Sequence, residues 1–333
     1  MDVPCAKALH YANAPIPLSL AWLRVAVSAC AALAIVYALY AERVTRKYHP
    51  NARILIRSHF VFNLLTSLGF VFIDGSDLVR IMFLRTASNG CPIPLLPGRL
   101  AEGLKLPEVF CVNALGLSLT CLGLERTVAT VYARCYEKHL RTFPGWILVL
   151  ITILLAGLKS YYMIANALPD GWSATATVGY VPPYVQKMGL IILIGIEAVN
   201  IVIFLVLYGL NRRWKNERNR INASLAYKYQ VDENVESLSN VLQLAFVHCA
   251  TILLATVMFF VILSLPASPF ISDFMFSIDI YVLYNLLLPF LVILKMYCLN
   301  KAKRKVAVAK RTSEAHKDHF QILSNYFNAG LKE

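Results

Sequence analysis

The residues best able to do chemistry in this sequence are an acid and a base side by side in an apolar run. Glu125 and Arg126 stand in CLGLERTVATVYARCYEKHLR, residues 121–141. At the end of a helix such a pair can hold itself, or a neighbouring helix, through charge-assisted hydrogen bonds. We interpret the pair as a latch that releases Arg126 to a partner when the helices separate. The alternative is a pair of charges at the membrane surface, with the arginine reaching out to water.

A second group consists of ionisable and aromatic side chains inside apolar segments. Charged groups at membrane depth usually face the interior of a helix bundle or a watery cavity, and they pair with one another. We expect this group either to line a polar ligand pocket or to form structural ion pairs. The candidates are Glu108, Lys159, Tyr162, Glu197, Asp279 and Tyr281.

The sequence motifs of the common enzyme classes are missing. The chain has no H-E-x-x-H, no G-x-S-x-G and no glycine-rich phosphate-binding loop. His59 and His248 have no third ligand at a recognisable spacing, so we interpret them as buried histidines with hydrogen-bond partners. We therefore expect no catalytic residue, no metal site and no cofactor.

The elements that must position these residues follow from composition. Of the 333 residues, 58% are hydrophobic and 15% are charged, which is far more apolar than an ordinary soluble domain. Seven segments approach the roughly 20 apolar residues that a helix needs to cross about 30 Å of hydrocarbon. The sequence therefore predicts an all-α membrane protein, a bundle of seven transmembrane helices. The predicted spans are 18–40, 54–79, 106–132, 144–164, 188–210, 244–265 and 275–299.

The distribution of lysine and arginine predicts the orientation of these spans. The stretches 41–53, 126–143, 211–243 and 300–333 hold 22 basic residues, whereas the alternate stretches hold 6. Because basic loops stay in the cytosol, we expect the N-terminus outside and the C-terminus in the cytosol. The net charge of +13 then faces anionic inner-leaflet lipid, and we expect no nucleic-acid partner. The predicted domains are an extracellular N-terminus, 1–17, a seven-helix domain, 18–299, and a basic cytosolic tail, 300–333.

The cysteines fit this topology. Cys5, Cys91 and Cys111 are predicted at the outer side, where a disulfide can form, and the sequence does not say which of them pair. Cys298 precedes LNKAKRK at the inner end of the seventh span. It is a candidate for palmitoylation, and the alternative is an ordinary buried thiol.

Residues 224–242, just before the sixth span, have helical periodicity. A mainly apolar stripe predicts a cytosolic extension of the sixth helix that packs on the fifth. The alternative is a solvated helix with no switching role. The stripe consists of Leu225, Tyr229, Asp232, Val235, Leu238 and Leu242.

Two longer motifs lie at the predicted inner ends of the third and sixth spans, ERTVATVYARCYEKH at 125–139 and SLAYKYQVDENVESL at 224–238. Together they resemble the nematode serpentine chemoreceptors of the Sra superfamily, which carry E-R-x-x-A-T followed by Y-E, and Y/F-Q-x-x-E-N. The Sre family is most similar, with Srab, Sra and Srb left open. The matching residues are Glu125, Arg126, Ala129, Thr130, Tyr136, Glu137, Tyr229, Gln230, Glu233 and Asn234.

The resemblance implies a G-protein-coupled chemosensory receptor in the plasma membrane of sensory neuron cilia. Such a receptor binds a small environmental molecule from outside and activates a heterotrimeric G protein inside, with the motif residues as its coupling and switch residues. The alternatives are a seven-helix ligand-gated channel and a small-molecule transporter. Transporters tend to have inverted repeats, which we do not find, and a channel with an intracellular N-terminus would contradict the basic-residue count.

Overall fold

The computed structural model describes residues 3–40, 49–84, 91–133, 142–166, 171–176, 183–217, 225–262, 264, 281–295 and 297–298. These residues form eight helices and a two-stranded antiparallel pairing of β1 with β2. The elements in chain order are α1 (Val3–Asn13), α2 (Pro15–Tyr40), α3 (Pro50–Phe83), β1 (Leu96–Pro97), α4 (Gly98–Val131), α5 (Phe143–Ala165), β2 (Trp172–Ser173), α6 (Pro183–Glu217), α7 (Leu225–Ile262) and α8 (Tyr281–Lys295).

Hydropathy explains most of this architecture. Within the described residues six helices, α2 to α7, are long and apolar enough to cross a membrane, and α8 is a shorter apolar helix. These seven helices correspond in order to the seven predicted spans, so the all-helical membrane fold is confirmed. Proline stands in the first turn of several helices, as at Pro50 of α3, where its missing N–H costs no hydrogen bond.

The helices extend beyond the predicted spans because helical geometry continues past the hydrocarbon. The largest difference is at α7, which begins at Leu225, whereas the span was predicted from residue 244. Its 38 residues correspond to about 57 Å of helix, well over the roughly 30 Å of a bilayer core. This matches the predicted extension of the sixth span. The N-terminal segment contains α1 and the first residues of α2.

Helix α4 is the centre of the bundle, since it packs against α3, α5, α6 and α7. The chain divides into two compact units, Met1–Pro289 and Phe290–Glu333. The first contains the helix bundle described below. In the second, the described residues are the last turns of α8 and Tyr297 and Cys298, and the predicted tail 300–333 lies outside the described residues.

We name the two ends of the bundle by their residues. The disulfide end holds Cys5 and Cys91, whose sulfurs are bonded with a Cα–Cα distance of 5.8 Å. Here α1 packs on α2 and α3 through an apolar cluster that includes Tyr11, Ala21 and Leu78. The Arg126 end is the opposite end, where α4 carries Glu125 and Arg126.

Candidate functional site

The Arg126 end contains a buried charge pair. The guanidinium of Arg126 donates two hydrogen bonds to the carboxylate of Glu125, from Nε to Oε2 at 2.5 Å and from Nη2 to Oε1 at 2.6 Å. Nη1 donates a third, to the Ser237 hydroxyl of α7 at 3.2 Å. The arginine is 2% exposed and the glutamate 4%, so a surface arginine, the alternative interpretation, is wrong. A buried bidentate pair of charge-assisted hydrogen bonds is strong and geometrically specific.

Further hydrogen bonds tie the same stretch of α4 to its neighbours. The Asn234 side chain of α7 donates to the Ala129 carbonyl oxygen at 3.2 Å. The Asn211 side chain of α6 donates to the Thr130 hydroxyl at 2.9 Å. All these groups except the backbone carbonyl belong to buried polar side chains. The last two turns of α4 are therefore held to α6 and α7 by reversible polar contacts.

The remaining motif residues are placed only in part. Tyr136 and Glu137 lie outside the described residues. Tyr229, Gln230 and Glu233 lie on α7, but their side chains are outside the described part of the chain. Asn234 is thus the motif residue of α7 whose contact is visible.

The predicted stripe on α7 is displaced by about one residue. The buried positions are Val231, Asn234, Ser237, Leu238 and Val241, whereas Asp232 and Val235 are partly exposed. The Asp232 carboxylate instead lies 3.1 Å from the Lys215 ammonium of α6. The prediction placed the apolar Val235 inward, and the structure places the polar Asn234 there because a hydrogen-bond acceptor on α4 receives it.

His49 caps α3 beside the charge pair. Its Nδ1 accepts a hydrogen bond from the Asn51 backbone N–H at 3.4 Å, which requires that nitrogen to be unprotonated. Burial lowers the pKa of His49, with Arg126 and Arg53 lowering it further and Glu125 opposing them. The lowered pKa favours the neutral imidazole of His49, which is the form that can accept the hydrogen bond of the cap.

The bundle opens into a cavity of about 190 Å³ at the disulfide end. Its walls come from the first turns of α4, α6 and α8 and the last turns of α5 and α7. The polar side chains are Glu102, Lys105, Glu108, Asn113, Lys159, Gln186 and Tyr281, and the apolar ones include Val109, Val112, Leu190, Leu193 and Phe259. A concave, mainly apolar site with a few convergent polar groups is typical of small-molecule binding.

The connection after α5 is anchored beside this cavity. Arg80 of α3 donates to the carbonyl oxygens of Pro94 and Ala174 and, at 2.9 Å, to Asp77. Asp77 accepts from the Ala176 backbone N–H at 2.8 Å. An aspartate and an arginine of α3 thus hold the segment 172–176 against α3.

The predicted pocket residues have four different outcomes. Glu108, Lys159 and Tyr281 line the cavity. Tyr162 is 55% exposed and is not among the residues that line this cavity. Glu197 is fully buried but lies one turn beyond the cavity residue Leu193. Asp279 lies outside the described residues.

Glu197 belongs to a buried polar core between the two ends. Its Oε1 lies 3.1 Å from His248 Nε2. His59 is hydrogen-bonded to the Tyr284 hydroxyl at 2.7 Å and to the Ser118 hydroxyl at 2.8 Å. The His248 and Tyr284 rings meet edge to face with centroids 4.8 Å apart. These five residues join α3, α4, α6, α7 and α8 and are the functional candidates that sequence reasoning did not bring together.

The cysteines and metal candidates are placed as follows. Cys111 is a buried free thiol, so of the three predicted outer cysteines Cys5 and Cys91 pair and Cys111 does not. Cys298 is exposed, so the alternative of a buried thiol is wrong. Within the described residues no three His, Cys, Asp or Glu side chains group together as a metal site would require.

The architecture defines the class of protein: a multi-pass membrane protein of seven apolar helices, with a ligand-sized cavity at one end and a buried charged pair at the other. Residues 3–331 match the family model described as serpentine type 7TM GPCR receptor class ab chemoreceptor, and the chain belongs to that family. The superfamily assignment is confirmed. Within it the match is to the Srab family, one of the alternatives, and not to the Sre family that the motifs favoured.

Two curated relatives come from Caenorhabditis elegans. Serpentine receptor class alpha/beta-14 is 26% identical over 206 residues, which cover 61% of this chain and 52% of the relative. Serpentine receptor class beta-17 is 25% identical over 203 residues, which cover 57% of this chain and 52% of the relative. The matches thus span about half the length of these relatives. They support a chemoreceptor role.

Proposed function

We propose that this protein is a G-protein-coupled chemosensory receptor. A small environmental molecule enters the cavity at the disulfide end from outside, and a heterotrimeric G protein docks at the Arg126 end in the cytosol. In this proposal the receptor acts in the plasma membrane of sensory neuron cilia, with anionic inner-leaflet lipid facing the basic connections. Exposed Cys298 is the candidate for palmitoylation. Family membership supports this proposal.

The observation that carries the proposal is the buried Arg126 pair. The structure holds this arginine inside the bundle, bonded to Glu125 and to Ser237 of a neighbouring helix. In the proposal this is the resting arrangement, and the active one has Arg126 released from Ser237. Separation of α7 from α4 breaks the Ser237 and Asn234 bonds and uncovers the cation for a docking partner. A two-state element at the end opposite the cavity is what signal transfer requires.

Two independent features support the orientation. The Cys5–Cys91 disulfide is compatible with an oxidising compartment, which is the extracellular side for a plasma-membrane protein. The basic residues concentrate in the connections of the opposite end, where the positive-inside rule puts the cytosol.

The polar core offers a physical connection between cavity and latch. Tyr281 lines the cavity and shares a 3.1 Å hydrogen bond with Thr256 of α7. One turn further along α8, Tyr284 contacts His59 and His248. A ligand that shifts Tyr281 therefore displaces the same helix that carries the core contacts, and α7 extends from that core to Ser237.

Two opposing substitutions test the latch. Arg126→Ala removes the docking cation, and we expect ligand-evoked and basal G-protein activation to fall by about tenfold or more while surface expression persists. Glu125→Gln weakens the grip on Arg126, so basal activation should rise. The measurement is nucleotide exchange by G proteins in membranes with matched receptor amounts.

The matched control is Arg213→Ala. Arg213 is an exposed arginine at the same end, paired with Glu217 of its own helix at 2.9 Å. It should leave signalling unchanged. A purely structural role for the charge pair would lower activation in both Glu125→Gln and Arg126→Ala, and full signalling by Arg126→Ala would contradict the proposal.

A further inference from the structure

Lys159 brings a positive charge to the cavity wall. It lies on α5, whose neighbouring residues Leu158 and Tyr161 face outward with 67% and 69% exposure, whereas Lys159 lines the cavity. Across the described ranges, no hydrogen bond or ion pair engages its ammonium group. Glu197 acts on it electrostatically, and Oε1 of that carboxylate is bonded to His248. An ammonium group away from bulk water and without a bonded counter-ion favours an anion beside it.

The other charged groups of the cavity limit that anion to one charge. Glu102, Lys105 and Glu108 each interact with another group of the protein already. The two carboxylates line the same cavity as Lys159, so a doubly charged ligand such as a phosphate monoester would be repelled by them. An amine ligand would place a second cation next to Lys159. A single carboxylate matches the site.

The volume and the lining of the cavity limit the size and polarity of the part of the ligand that carries the carboxylate. A cavity of about 150 Å³ lined by apolar side chains holds benzene. The 190 Å³ here therefore accommodates an apolar body of about eight non-hydrogen atoms. The apolar walls around it include valine, leucine and phenylalanine side chains, at Val109, Val112, Leu190, Leu193 and Phe259. An aromatic or branched hydrocarbon body is favoured over a sugar or a nucleoside, whose many hydroxyl groups would lose their hydration without enough partners.

We propose that the cavity binds small monocarboxylic acids with a compact apolar body, and that Lys159 pairs with the ligand carboxylate. This deepens the proposed receptor function, since it assigns the ligand class of the same cavity. The apolar body lies between α6 and α7, against Leu190 and Phe259, and the carboxylate turns towards α5. Tyr281 is in contact range of such a ligand and connects it to α8.

The test compares three probes of one shape. They are 3-phenylpropanoic acid, 3-phenylpropanamide and 3-phenylpropylamine, with benzoic and phenylacetic acids as shorter members of the acid series. Binding is measured near pH 7, where the acids are ionised. The sample is the full-length receptor in lipid nanodiscs, and the readouts are thermal stabilisation and calorimetry. We expect at least one acid to bind about tenfold to a hundredfold more tightly than the matched amide or amine.

Variants assign the selectivity to one residue. Lys159→Gln should abolish the preference for the acid, and Lys159→Glu should transfer it to the amine. Lys187→Gln is the matched control, because Lys187 lies on α6 next to Gln186 but does not line the cavity. The wild-type comparison of acid with amide does not depend on any variant's folding.

The outcomes separate this proposal from the receptor function. Failure of every acid to bind, equal binding of acid and amide, or an unchanged preference in Lys159→Gln would overturn the ligand class and leave G-protein coupling standing. Tight, Lys159-dependent binding of an acid supports the ligand class even where no G protein responds, and that result would count against the receptor function alone.

Discussion

One end of the bundle has a covalent bond among its ties, whereas the ties described at the other end are all non-covalent. At the disulfide end a covalent bond joins Cys5 to Cys91, and Arg80 clamps two connections to α3. At the Arg126 end the ties are side-chain hydrogen bonds that run directly from α4 to α6 and α7. The first set holds the connections and α1 against the bundle, and at the same end the Arg24 guanidinium of α2 bonds the Asp74 carboxylate of α3 at 2.5 Å. The second set holds the bundle helices against one another.

This difference explains where the cavity lies. Ties at the disulfide end pass around the space between α4, α5 and α6, so that space remains open to a ligand. At the Arg126 end the contacts between α4, α6 and α7 are occupied by the buried side chains of Arg126, Asn211 and Asn234. We expect motion at the Arg126 end. Breaking one of its hydrogen bonds costs about 1 kcal/mol, whereas the disulfide at the other end is covalent and does not open thermally.

Removing the covalent frame should have the largest effect on stability. Replacing both Cys5 and Cys91 with Ser is expected to cost about 2–4 kcal/mol, since the bond closes a loop with a sequence separation of 86. Thermal unfolding of the purified protein measures this. The exposed free cysteines provide the control variants Cys30→Ser and Cys298→Ser, which should be neutral. A loss below about 1 kcal/mol would show that the disulfide is not the main tie of its end.

Crowding the polar core should have an intermediate effect. A Cβ at Gly116 would lie 2.8 Å from Glu197 Oε1, so Gly116→Ala must displace a carboxylate that is bonded to His248. We expect a loss of about 1–3 kcal/mol in thermal unfolding. Gly75→Ala and Gly103→Ala are matched helical controls with open space, expected to lie within about 1 kcal/mol of the parent. Equal behaviour of all three variants would mean that the core tolerates rearrangement and does not separate the two ends.

Weakening the reversible ties should have the smallest effect on stability but a visible one on signalling. Ser237→Ala removes one hydrogen bond to Arg126, worth about 1 kcal/mol. The open population should rise about fivefold, and basal nucleotide exchange by the G protein with it. Ser239→Ala on the same helix is the control. If basal nucleotide exchange were unchanged in Ser237→Ala, the Ser237–Arg126 bond would not be the contact that opens, and the proposed difference in mobility between the two ends would be wrong.

The sequence did not determine which side chains of α5 face the cavity. Lys159 and Tyr162 were both expected in the pocket, and only Lys159 lines it. The two residues are three apart, so they lie on overlapping sides of the helix, and α5 is apolar nearly all round. Periodicity cannot identify the inward face of such a helix. On α7 the same limit displaced the stripe by one residue, towards Asn234.

The sequence alone was enough to predict that the chain lies in a membrane, how many spans it has and which receptor superfamily it resembles. Hydropathy acts on each segment separately, and each motif lies within a single stretch of sequence. The choice of partners was made only by the tertiary structure. Cys91 rather than Cys111 reaches Cys5, and Glu197 meets His248, 51 residues away in sequence, instead of the ligand cavity. Such pairs depend on how helices rotate and pack, and that rotation is decided by all the helices together.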